Sequence, residues 1–168
     1  MEPETFPLLT QALDRIVAVK ALIPNAFEDP ASEEDIVTAA SGIPGGIPEE
    51  WQAVLRVADG WEYPHETYYT LIPSVTDLAR MQADYAGPRL LSRYKNFATR
   101  FLVVGDSECG DIYCLDRARP DGVTGVTLLS HSGGAIEAEW ATVAEFLIEV
   151  LSDDVVADED EDDDDDEE

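Results

Sequence analysis

Phe101-Leu102-Val103-Val104-Gly105-Asp106-Ser107-Glu108-Cys109-Gly110-Asp111-Ile112-Tyr113-Cys114-Leu115-Asp116 is the stretch whose reading decides the fold class. Phe101 to Asp106 is a short apolar run of the kind a buried strand requires. Ser107 to Asp111 is a tight polar turn and Ile112 to Asp116 a returning strand, so the unit reads as a hairpin with a longer loop. Downstream, Arg117 to Gly122 is a turn, Val123 to Ser130 a third strand, His131 to Gly134 another turn, and Ala135 to Glu139 a short strand. Upstream, Trp61 to Ile72 holds Tyr63, Tyr68, Tyr69, Leu71 and Ile72, which predicts one or two strands around a turn at Pro64-His65-Glu66. Helical patterns precede and follow this block. Helices, then a run of strands, then a helix predict an α+β fold with a mainly antiparallel sheet flanked by helices, rather than alternating βαβ units.

The helices are read from spacing and punctuation. Phe6 to Ile23 is amphipathic: Leu9, Leu13, Ile16, Val17, Lys20 and Ala21 fit one period, and Leu8, Ala12 and Val19 widen the stripe. Residues 24–44 are loop-like, although Ser32 followed by Asp35 resembles a capping box opening a short helix to Val37. Gly42 to Pro48 is a turn cluster. Pro48 to Ala58 is a helix with Pro48 at its first position and Glu49 and Glu50 at the positive end of its dipole. Trp51, Val54, Leu55 and Ala58 share its apolar face, and Gly60 suits the left-handed turn that ends it. Pro73 to about Tyr85 is a further helix, broken at Ala86-Gly87-Pro88, with another helical segment over 89–95. Thr142 with Glu145 is a capping box, and the last helix runs to Leu151, burying Val143, Phe146, Leu147 and Val150.

Charge divides the chain unevenly. The net charge is -27, and the stretch from Asp153 to Glu168 has 13 acidic residues and no basic one. That leaves 24 acids against 10 bases, a body of -14. Such a surface repels nucleic acid and anionic membranes and attracts basic proteins, while also favouring solubility. The expected organisation is an N-terminal helix and linker (1–46) packing on the domain, an α+β core (47–151), and a disordered acidic tail (152–168). No basic n-region opens the chain and no apolar run is long enough for a membrane span, so the expected compartment is the cytoplasm. Cys109 and Cys114 make no disulfide framework; Cys114 is expected as a small buried hydrophobe and Cys109 as a free thiol in a loop.

Catalytic and cofactor chemistry finds little support. Gly42 to Pro48 lacks the Lys-Ser/Thr ending of a phosphate loop, and two glutamates follow where a phosphate would sit. Ser130 and His131 point to opposite faces of a strand, and His65 lies in a separate turn, so a hydrolytic triad is disfavoured. Cys109 and Cys114 lack a second pair at zinc spacing, and Asp106, Glu108 and Asp111 do not follow a calcium-loop pattern. The reading is no catalytic residue, no metal and no cofactor. Asp59, Trp61, Glu62 and Tyr63 form a different cluster, in which aromatic contact area stands beside acids able to pair with Lys or Arg. The same residues would also suit a core aromatic flanked by solvated acids.

In order and approximate spacing, several segments resemble the SUKH superfamily of yeast cell-wall-assembly regulators and bacterial immunity proteins. They are Leu55-Arg56-Val57-Ala58-Asp59-Gly60-Trp61, Tyr69-Thr70-Leu71-Ile72-Pro73-Ser74-Val75, Phe101-Leu102-Val103-Val104-Gly105-Asp106, Gly110-Asp111-Ile112-Tyr113-Cys114-Leu115-Asp116, and Trp140-Ala141-Thr142-Val143-Ala144-Glu145-Phe146-Leu147. The resemblance spans Ile47 to Leu151 and omits residues 24–46 and the tail. It implies an α+β domain without catalytic activity, in bacteria typically an immunity protein that binds and neutralises a toxin. The acidic balance separately suits a basic partner such as a nuclease toxin domain. The expected contact residues are Asp59, Glu62, Asp106, Glu108 and Asp111, with Trp61 and Tyr63 as anchors. The alternative is a cellular regulatory or scaffold protein of the same fold, and a small hydrolase using His131 or His65 comes third. Oligomeric state is left open.

Overall fold

The computed structural model describes residues 5–85, 94, 96–132 and 134–152, with side chains from residue 8 onward. The expected helix over 89–95, except for Tyr94, and residues 153–168 of the acidic tail lie outside these residues. The chain forms a single α+β domain. Its elements are α1 (Thr5–Leu22), a 3-10 turn (Pro24–Ala26), α2 (Glu33–Gly42), α3 (Glu49–Leu55), β1 (Trp61–Tyr63), β2 (Thr70–Ile72), α4 (Val75–Tyr85), α5 (Phe97–Arg100), β3 (Phe101–Asp106), β4 (Ile112–Asp116), β5 (Gly125–Leu129), β6 (Ile136–Trp140) and α6 (Val143–Val150). The six strands lie in chain order, and every neighbouring pair is antiparallel.

Period-two alternation sorts the sheet into two apolar faces. Leu102, Val104, Tyr113, Leu115, Val126, Leu128 and Trp140 join Trp51, Phe146, Ile16 and Ile36 in the main core. Phe101, Val103, Ile112, Cys114 and Leu129 face the other way, against Tyr94 and Phe97. Central strands covered on both sides carry apolar residues at every position, which is why β3 reads as an unbroken run. Residues 12–43 contribute Ala12, Ile16, Val19, Phe27, Ile36, Ala39 and Ile43 to the main core.

Several local expectations shift. On α1 the buried face is Ala12, Ile16 and Val19, whereas Val17 is 56% exposed. The helix is rotated toward Ala12, whose small side chain permits close packing on α6. Residues 33–42, expected to be mostly loop, form a ten-residue helix whose cap is the predicted one: the Asp35 N–H donates to Ser32 Oγ at 3.1 Å. Ile36, Ala39 and Ile43 give that segment an apolar stripe, so it extends well past Val37. Pro48 is the N-cap of α3, with an extended ψ of 145°, and the helix stops at Leu55 instead of Ala58. The three following residues continue as a turn, in which the Val57 and Ala58 N–H groups both donate to the Val54 carbonyl, keeping Ala58 buried. Gly60, at φ +108°, does not end the helix. A Cβ there would stand 2.6 Å from the Ile72 carbonyl oxygen, so glycine is needed where the chain enters β1 beside β2. At α6 the predicted cap is present, with the Glu145 N–H donating to Thr142 Oγ1 at 3.0 Å, but the return bond is shifted by one residue: Glu145 Oε2 accepts the N–H of Ala141 at 2.9 Å instead of that of Thr142.

The β2–β3 junction shapes the surface described next. β2 meets β3 at one register position, Leu71 opposite Asp106, and then ends at Pro73, which has no N–H to continue a ladder. Gln82 of α4 takes over. Its side-chain amide accepts the Val103 N–H at 2.8 Å and donates to the Phe101 carbonyl at 3.0 Å. Both groups are buried, so the amide supplies partners that a longer β2 would have supplied.

Candidate partner-binding surface

The seven residues expected to form the contact surface separate into three groups. Trp61 and Tyr63 are 2% and 0% exposed, which corrects their expected role as surface anchors. They alternate with Glu62 on β1, so the register that exposes Glu62 turns both aromatics inward. The Trp61 Nε1 hydrogen is donated to Thr70 Oγ1 at 3.0 Å, and its ring stacks on Phe27 with centroids 5.8 Å apart. The Tyr63 hydroxyl donates to the Ser152 carbonyl at 2.6 Å.

Asp59 and Asp111 are occupied within the fold. Asp59 Oδ1 accepts the Val75 N–H at 2.6 Å, satisfying a free donor at the start of α4. Burial raises the Asp59 carboxyl above its ordinary value against the effect of that bond, and the charges of Asp35, Glu28 and Asp77 add to the rise. Asp111 Oδ1 accepts the His131 N–H at 3.1 Å and lies 2.7 Å from His131 Nδ1, tying the β3–β4 turn to the β5–β6 turn. Fold contacts therefore restrict both carboxylates as partner contacts.

Glu62, Asp106 and Glu108 all act on the Tyr69 hydroxyl, Glu62 through a hydrogen bond and the other two through their charge. Tyr69 donates to Glu62, and its hydroxyl is pushed up to about 12, first by that hydrogen bond, then by burial and by the charges of Glu62, Glu108 and Asp106. Asp106 is half-buried; desolvation raises its carboxyl, and the Tyr85 hydroxyl bonded to it opposes the rise. Beside this cluster an open groove of about 350 Å³ runs between β2 and α4, lined by Leu71, Pro73, Asp77, Arg80, Met81, Asp84 and Tyr85. The sequence reading missed the groove. Asp77 and Asp84 stand seven residues apart, with Met81 between them, the spacing of one helical face, and that signal was available.

The two histidines have structural partners. His65 Nδ1 accepts the N–H groups of Thr67 and Tyr68, each at 3.1 Å, so its Nε2 carries the hydrogen given to Ser152 Oγ at 2.8 Å. Cys114 is buried and Cys109 exposed, as expected. Among the described residues no group of three or more His, Cys, Asp or Glu side chains is arranged to hold a metal ion, and no helix is long and apolar enough to cross a membrane. Compared with known proteins, the chain matches no protein-family model and no curated protein.

Proposed function

We propose that this chain is a non-catalytic, cytoplasmic binding protein of SUKH type, acting as an immunity protein that covers a basic, nuclease-type toxin domain with carboxylates. The observation that carries the reading is the exposed acidic surface that includes Glu62, bonded to Tyr69, and Glu108 in the turn after β3, on a chain of net charge -27. A nuclease attracts phosphate and therefore presents Lys and Arg, which is the surface these acids complement. Glu62 and Glu108 are exposed, so they are suited to steer association.

The test is co-expression with the product of the neighbouring gene. The expected result is restored growth, a direct complex, and an association rate that falls as salt rises. Glu62→Lys with Glu108→Lys should slow association more than it speeds dissociation, whereas Asp111→Asn should change it little. A chain that gives no protection, or a complex indifferent to salt and to the double reversal, overturns the reading.

A further inference from the structure

We propose that the groove between β2 and α4 receives one arginine side chain of the basic partner, which makes it the specific anchor within the acidic surface. The inference deepens the binding reading above and rests on it. The groove combines two features that a long cationic side chain needs. Leu71, Pro73 and Met81 offer apolar surface for the methylene stem, and Asp77 and Asp84 supply carboxylates along α4. Asp106 borders the groove, because it pairs with the lining residue Leu71 across the sheet.

Among the described residues, the cation at the groove leaves most of this charge uncompensated. Arg80 pairs with Asp77 at 2.8 Å, but its side chain is 74% exposed, so the pair is weak and easily exchanged. Counting Arg80 against Asp77, Asp84 and Asp106 leaves two negative charges about an apolar floor. Tyr85 decides between the two basic side chains. A planar guanidinium stacks on an aromatic ring, binds carboxylates with two parallel hydrogen bonds, and is less strongly hydrated than an ammonium. Arginine therefore fits the groove better than lysine. A second copy of this chain is a poor occupant, since each copy would bring a strongly negative body.

The probe is N-butylguanidinium, an arginine side chain extended by its Cα carbon so that its stem matches n-butylammonium, titrated into the full-length protein at constant ionic strength. The chain has two methionines, Met1 and Met81, so a methyl-labelled methionine sample gives one reporter inside the groove and one at the N-terminus. The expected result is a saturable shift of the Met81 signal. Asp84→Asn and Asp106→Asn should each weaken it by about threefold, and Glu137→Gln, on the exposed strand β6 at the far edge of the sheet, should leave it unchanged. Asp84 is exposed, so that variant should fold normally.

Absence of saturation, or saturation indifferent to Asp84→Asn and Asp106→Asn, overturns the groove as a cation site. Equal binding of n-butylammonium overturns the arginine assignment. Failure here is separable from failure of the functional reading. A salt-sensitive toxin complex that survives Asp84→Asn but not the Glu62 and Glu108 reversals would retain the function and remove the groove. Saturable butylguanidinium binding without any toxin complex would do the opposite.

Discussion

The two faces of the sheet are built on different scales. One face lies under α1, α2, α3 and α6 and holds Trp51, Trp61, Tyr63, Trp140 and Phe146 in one continuous cluster. The other holds the smaller cluster of Tyr94, Phe97, Phe101, Val103, Ile112, Cys114 and Leu129, with Met81 and Tyr85 at its margin. The large face uses aromatic rings in contact: Trp140 and Phe146 meet edge-on at 5.1 Å, and Tyr113 lies 5.4 Å from Phe146. The small face has its own chain of rings, Phe97 and Phe101 at 5.7 Å, but closes its open side with polar devices. Arg100 grips Asp116 through two bonds, of 3.0 and 2.6 Å, while its guanidinium lies over Phe101. The difference separates two kinds of surface: the broad face holds the larger core, and the acidic groove opens at the margin of the narrow one.

The largest effect should come from the broad face. Trp51 is fully buried, and Trp51→Ala should cost about 3–5 kcal/mol in chemical denaturation. A near-native midpoint would mean that the broad face is not the main source of stability. Gln82→Leu tests the seam between the faces. It orphans the Val103 N–H and the Phe101 carbonyl, each worth about 1–3 kcal/mol when buried without a partner, and hydrogen exchange at Val103 should rise. Unchanged protection there would show that something else covers the β3 edge.

The sharpest comparison lies within one strand. Val103 and Val104 are both fully buried but point to opposite faces. Each truncation to Ala removes two carbons, about 1.6 kcal/mol before any cavity term. Val104→Ala should cost more, because the larger cluster has less freedom to collapse into the space. Equal losses would erase the distinction drawn between the faces. Thr142→Ala, which removes the cap of α6, should cost about 1 kcal/mol.

The smallest effect concerns Asp59, and its sign depends on pH. Burial raises its folded-state value, so its proton is held more tightly in the folded chain than in the unfolded one. The group therefore favours folding below its unfolded value, and that contribution is lost as pH rises through the folded value. At neutral pH the buried charge opposes folding. Asp59→Asn keeps an oxygen for the Val75 N–H and removes the charge, so thermal melts should show equal or higher stability at neutral pH. Any advantage should vanish below the carboxylate range. A variant that is less stable at neutral pH would show that the charge on the cap matters more than its burial.

The legible parts of the fold were those with local causes. The β3–β4 hairpin, the caps at Ser32 and Thr142, and the burial of Trp51 and Phe146 follow from alternation, turn residues and helical spacing within a few positions. The candidate site was less legible because its residues depend on distant partners. Trp61 looks the same in sequence whether it faces a core or a partner, and it took the register of β1 against β2 to turn it inward. Asp59 is committed by Val75, sixteen residues away, and Asp111 by His131, twenty away. Glu62, Asp106 and Glu108 sit on β1, β3 and the turn after β3, so no single segment announces that all three act on Tyr69.

Gln82 also limits how this chain can change over evolutionary time. A side-chain amide is a stopper of fixed size, occupying β3 positions that any elongated β2 would claim. Inserting residues between Ile72 and Val75 would press a growing strand against an occupied edge, whereas the β1–β2 turn has no such obstruction among the described residues. Length variation should therefore accumulate in that turn and be excluded just after Ile72. The same stopper guards against strand exchange, since a strand arriving from another molecule finds those rungs already taken.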